Sequence, residues 1–228
     1  MRYFGLENCV QFPNHRGRDW VQSTSGVRRI VVIGASAGGV EAISSLASQF
    51  PADIAAAVFA VLHLPPNATS HLPEILSRAG RLKAVHPVGS TTIERGLIYV
   101  APPDRHLVVS EHEVSAIDGP SEHGHRPAVN RLFRTAAETW GARVIGVVLT
   151  GNLDDGTSGL AAVKAGGGVA IVQEPSETIF SGMPRSAIDH VAVDHVLPID
   201  QIVPMIVRLI DEGDLAAGEK RRSPWAQG

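Results

Sequence analysis

Apolar runs without polar alternation recur along the chain at residues 30–33, 55–62, 144–149 and 169–172. Runs this short and this apolar predict strands buried on both faces, as in a parallel sheet. Between them, apolar residues return at helical spacing. Val40, Ile43, Ala47 and Phe50 follow the first run, and Val129, Leu132, Phe133, Ala136 and Trp140 lie on one face of residues 128–140. Another helix runs to about residue 165 and is ended by Gly166-Gly-Gly168. A short helix is expected over 70–78, with Leu72, Ile75 and Leu76 inward, and another ends near His190. The last helix carries Ile202, Val203, Ile206, Leu209 and Ile210 on one face, with Asp200 as its cap and Pro204 in its first turn.

The middle of the chain departs from this alternation. Short strands are expected at 83–86, 97–102 and 195–198. Residues 107–110 and 114–117, joined by Glu111-His-Glu113, predict an antiparallel hairpin. Together these elements predict an α/β fold: a doubly wound, mainly parallel sheet with helices on both faces and an antiparallel hairpin at its edge. Residues 1–27 have no period and read as a flexible leader. One domain is expected over 28–213, with a flexible polar tail over 214–228.

Composition removes several function classes. The chain has 228 residues, 44% of them hydrophobic, enough for one sizeable core. Its net charge is −3 without a dense basic cluster, which argues against nucleic acid or an anionic membrane as partner. Cys9 is the only cysteine, so no intramolecular disulfide and no thiolate metal cluster can form. No apolar run approaches the ~18–20 residues of a membrane span, and the N-terminus lacks a signal-peptide core. A cytoplasmic protein with no direct membrane insertion is expected.

Candidate chemistry sits at the carboxyl ends of the buried runs. The first breaks at Gly34-Ala-Ser-Ala-Gly-Gly39, which places Ser36 on a tight strand-to-helix turn of small residues. Such a turn has three readings: a packing turn whose serine caps the helix, a phosphate cradle, or an exposed nucleophile. The glycines do not fit G-x-G-x-x-G, and no Gly-Lys-Ser/Thr follows. The second run ends in His63, and the third in Thr150-Gly-Asn-Leu-Asp-Asp-Gly156, which presents Asp154 and Asp155. A hydroxyl, an imidazole and a carboxylate at neighbouring strand ends are the groups of an acyl-transfer site. The imidazole takes the serine proton, and the carboxylate steadies the imidazolium. The amides opening the helix after Ser36 can face a developing oxyanion. Between residues 119 and 127, His123 and His125 form a His-x-His pair without convincing further ligands, and the segment reads as a solvated loop.

The chain resembles the catalytic domain of the chemotaxis receptor methylesterases, the CheB family. The resemblance is carried by Val31-Val-Ile-Gly-Ala-Ser-Ala-Gly-Gly39, the strand ending in His63, and Tyr99-Val-Ala-Pro-Pro-Asp-Arg-His-Leu107. It continues through His125-Arg-Pro-Ala-Val-Asn-Arg-Leu-Phe133, Leu149-Thr-Gly-Asn-Leu-Asp-Asp-Gly156 and Gly182-Met-Pro-Arg185. It implies a serine hydrolase that removes methyl esters from receptor glutamates, releases methanol and can also deamidate receptor glutamines. The implied triad is Ser36, His63 and Asp155, the acid being the aspartate that directly precedes Gly156. Ala37 and Asn152 are the implied oxyanion or supporting positions, and Arg126 and Met183 the implied substrate contacts. No cofactor or metal is implied. The implied partners are methyl-accepting chemoreceptors; regulation is expected to come from a separate regulatory partner or not at all. Two departures stand out: Ala37 replaces the threonine usual in enteric members, and Thr150-Gly-Asn-Leu153 replaces Thr-Gly-Met-Gly. The leader is also too short for a receiver domain, so a stand-alone enzyme is expected. A catalytically inactive chemosensory binding module of the same fold is the alternative.

Overall fold

The structure, a computed structural model, describes residues 26–221. Seven strands form the main sheet: β1 (Arg29–Ala35), β2 (Ala56–Leu62), β3 (Lys83–Val85), β5 (Leu97–Val100), β8 (Val144–Val148), β9 (Val169–Gln173) and β10 (His195–Leu197). Their order is β10-β9-β8-β1-β2-β5-β3, and every pairing is parallel. Central β1 lies between β2 and β8, so the order of the chain reverses beside it. In open α/β sheets this switch point is where ligands bind, outside the strand carboxyl ends.

The apolar runs have no polar face because both sides of the sheet are covered. Val31, Ile33 and Ala35 pack with α1 (Gly39–Gln49), α2 (Leu72–Ala79) and α6 (Ile199–Arg221). Ile30 and Val32 point the other way, toward α3 (Val129–Trp140), α4 (Thr157–Ala165) and α5 (Gly182–His190). Each buried Ile or Val adds about 1.5–3 kcal/mol over its exposed state. The expected doubly wound architecture is therefore present. The hairpin of β6 (His106–Val109) and β7 (Glu113–Ile117) also forms. It does not join the edge of the main sheet; it pairs with β4 (Ser90–Thr92) as a separate antiparallel sheet. Leu107, Val109 and Val114 bury its inner face against the α3 layer.

Two details differ from the sequence reading. α6 starts at Ile199, so Asp200 lies inside its first turn and Pro204 falls in the helix interior. The helix also continues to Arg221, past the expected boundary at 213. The expected leader, save for residues 26 and 27, and the last part of the expected tail, 222–228, lie outside the described residues.

Candidate active site

The tips of β2, β1 and β8 meet at the switch point. The His63 amide donates to the Ala35 carbonyl at 3.2 Å, and the Ser36 amide donates to the Thr150 carbonyl at 3.0 Å. Ser36 is thus fixed between His63 on one side and the Thr150–Gly151 turn on the other. Close packing demands glycine here. A Cβ on Gly151 would stand 2.2 Å from the Met183 sulfur and 2.9 Å from the Ser36 Cβ. Thr150 holds the turn in place: its amide donates to Gln173 Oε1 at 2.9 Å, and its hydroxyl lies 3.0 Å from the Ala37 carbonyl and 3.1 Å from that of Phe180.

Asp155 reaches across to the next helix. Its Oδ2 accepts the Val129 amide at 2.7 Å, and its Oδ1 accepts the Asn130 amide at 3.0 Å. The capping role expected of aspartate is therefore filled, on α3 rather than on the helix that follows it. α3 has Ala128 at its N-cap and no side-chain cap of its own. Gly34 makes the approach possible, because a Cβ there would lie 2.2 Å from Val129 Cγ1. In return, Asn130 Oδ1 accepts the Gly156 amide at 3.1 Å and the Gly159 amide at 2.7 Å. Each helix start is capped from the other.

The same carboxylate holds the histidine. His63 Nε2 lies 2.7 Å from Asp155 Oδ2, with the Asp155 side chain 1% exposed. Burial alone would push the Asp155 carboxyl up. Hydrogen bonds from His63 and from the Asn130 and Val129 amides outweigh it and bring the group below the usual carboxylate range. An ionised carboxylate only accepts, so the His63 proton is assigned to Nε2, which donates. Nδ1 is left with the lone pair; it is buried and has no partner among the described residues. The Ser36 hydroxyl likewise makes no hydrogen bond among the described residues. The His63 and Asp155 side chains are bonded to each other, while the hydroxyl of Ser36, on the neighbouring strand tip, is not bonded to either. Asp154, the other carboxylate of the turn, is exposed.

Among the supporting positions, neither the Ala37 nor the Asn152 amide has an acceptor among the described residues; Ala37 directly follows Ser36, and Asn152 directly follows Gly151, which packs against Ser36. The two expected substrate contacts are placed differently. Arg126 donates to Asp104 and to the Gly119 carbonyl, so its guanidinium fastens a loop. Met183 is 0% exposed behind Gly151 and belongs to the core. His125, read as part of a solvated loop, stacks on His63 with ring centroids 3.7 Å apart and planes 7° apart. The sequence signal was its place in the His125–Phe133 motif, but periodicity could not reveal the contact. Leu153 is also at the site, with a φ of 62° and 68% exposure.

A family profile described as CheB methylesterase matches residues 31–206. A Methanosarcina mazei relative named protein-glutamate methylesterase/protein-glutamine glutaminase 2 is 35% identical over 213 residues, 90% of this chain and 58% of the relative. The chain thus spans little more than half of that relative's length. A Leptospira interrogans relative is 34% identical over 186 residues, 81% of this chain and 96% of the relative. The crystal structure of the Thermotoga maritima CheB methylesterase catalytic domain superposes with a TM-score of 0.76 at 31% identity, covering 79% of this chain and 98% of that one.

Proposed function

The chain belongs to the CheB methylesterase family, and we propose that it is a serine hydrolase that cleaves glutamate methyl esters on methyl-accepting chemoreceptors. The observation that carries this reading is the His63 ring, held by Asp155 through Nε2 with its buried Nδ1 unpartnered, next to the turn bearing Ser36.

In the proposed reaction, Ser36 Oγ attacks the ester carbonyl carbon as its proton passes to His63 Nδ1. The carbonyl π pair moves onto oxygen, where the Ala37 and Asn152 amides can donate to it. The oxyanion collapses, the bond to the methoxy oxygen breaks, and His63 returns the proton to that oxygen, releasing methanol. Water then attacks the glutamyl–Ser36 ester, giving its proton to His63. Collapse restores the Ser36 hydroxyl and leaves a glutamate carboxyl, ionised at neutral pH. Asp155 keeps the tautomer and balances the imidazolium in each half. A glutamine substrate would release ammonia by the same route, in keeping with the second activity in the names of the relatives. The expected setting is cytoplasmic; among the described residues no helix is long and apolar enough to cross a membrane.

Methanol release from methylated receptor membranes tests the proposal. Ser36→Ala is expected to lower kcat by up to about 10⁶, and near-normal turnover would remove the mechanism. The unbonded Ser36 hydroxyl favours one second reading, an inactive docking module of the same fold. Apo catalytic hydrogen bonds are often long, so labelling of Ser36 by a fluorophosphonate separates the two.

A further inference from the structure

The loop before α3 is secured at several points, and all of them fix residue 125. His106 is 2% exposed; its Nε2 lies 2.9 Å from the Pro120 carbonyl, and its Nδ1 lies 3.3 Å from the Ala128 amide. Arg126 binds Asp104 and the Gly119 carbonyl. Glu122 and His125 exchange backbone hydrogen bonds of 3.0 and 2.9 Å around a tip with φ of 50° at His123 and 81° at Gly124. The Glu122 carboxylate accepts from Arg134 on α3 at 2.7 Å. So many constraints on an otherwise polar loop have one visible product, the imidazole laid flat on His63.

The base needs its ring plane held. Asp155 fixes the Nε2 end, but a single hydrogen bond leaves the ring free to rock about that contact. A ring flip must also pass through an edge-on orientation, which a parallel ring at 3.7 Å forbids. We propose that His125 is a positioning residue: its ring covers one face of His63 and holds the plane in which Nε2 meets Asp155, leaving Nδ1 to take the Ser36 proton. This rests on the reading of Ser36 as nucleophile. Burial, then the neighbouring His63, hold the His125 imidazole below its ordinary value, so at neutral pH the covering ring is uncharged. Covering by an uncharged ring also keeps water from that face of the base.

The test compares wild type with His125→Ala and His125→Phe, the second keeping a flat ring without nitrogens. His123→Ala, on the exposed tip of the same loop, serves as control. Methanol release and the rate of Ser36 labelling by a fluorophosphonate are measured alongside the nitrogen NMR signature of the His63 ring. His125→Ala is expected to lower kcat and the labelling rate by about 10²-fold with KM little changed, and to replace a single His63 tautomer signature with an averaged one. His125→Phe is expected to restore most of each, and His123→Ala to match wild type. His125→Asn replaces the alanine variant if that one fails to fold. A wild-type kcat and an unaltered ring signature in His125→Ala would overturn the proposal, as would a phenylalanine variant no better than alanine. A wild type that releases no methanol, yet shows the expected change in ring signature, would sink the substrate reading alone.

Discussion

The turn that carries Ser36 and the turn that carries Asp155 share a plan and differ in what they restrain. Each follows a buried parallel strand, and each enters its helix through a left-handed glycine, Gly38 at φ 74° and Gly156 at φ 102°. Neither helix has a side-chain cap from its own turn. At Ser36 the backbone is pinned, while the hydroxyl makes no hydrogen bond among the described residues. At Asp155 the carboxylate is saturated by His63, Val129 and Asn130. In the proposed reaction the nucleophile must leave its ground-state position to attack, whereas the orienting acid must not move. One turn therefore invests in backbone and the other in side chain. Activity and stability should separate at residue 36 and be inseparable at residue 155.

Variants can break that contrast. The largest effect is expected for Ser36→Ala: the loss of up to about 10⁶ in kcat should come with an unchanged melting temperature, since no hydrogen bond is lost. A marked fall in Tm would show that the hydroxyl is structural after all. Asp155→Asn should lose about 10⁴ in kcat and also about 1–3 kcal/mol of stability, because buried amides lose an acceptor.

The acid's contribution has a defined pH window. The Asp155 carboxyl is depressed by folding, so its stabilisation is complete above its unfolded value of about 3.9 and is lost as the pH falls toward the folded one. The Tm gap between wild type and Asp155→Asn should therefore be wide at neutral pH and close below about pH 4; a gap that persists would point to lost packing instead. Asp154→Asn sharpens the comparison from the same turn. That side chain is exposed, and the change should stay within about 0.5 kcal/mol with kcat near wild type. A small effect of opposite sign is expected for Leu153→Gly. Relief of a leucine at φ 62° should outweigh the added chain entropy and raise urea stability by under about 1 kcal/mol.

Much of this arrangement was legible from residue order alone. The runs ending at Ser36, His63 and Leu149 are apolar because both faces of the sheet are covered, and three strand tips then fix where the chemistry lies. What escaped the sequence depends on contacts between distant segments. β4 is Ser90-Thr-Thr92, with no apolar run to betray a strand. The resemblance implies Arg126 as a substrate contact, and only the fold shows its guanidinium held by Asp104. Met183 lines the back of the turn because Gly151 leaves room for its sulfur. His125 reads as solvated because its neighbours are polar, yet His106 and Arg126 draw the loop onto His63.

The mutual capping of α3 and α4 has a dynamic consequence. The Val129, Asn130, Gly156 and Gly159 amides are each bonded to a side chain from the other segment. None can exchange its proton with solvent unless the two helix starts part. These four amides should therefore exchange in concert and slowly, as one cooperative unit. Breathing motions that loosen the outer loops would then leave the acid and its imidazole in register until that unit gives way.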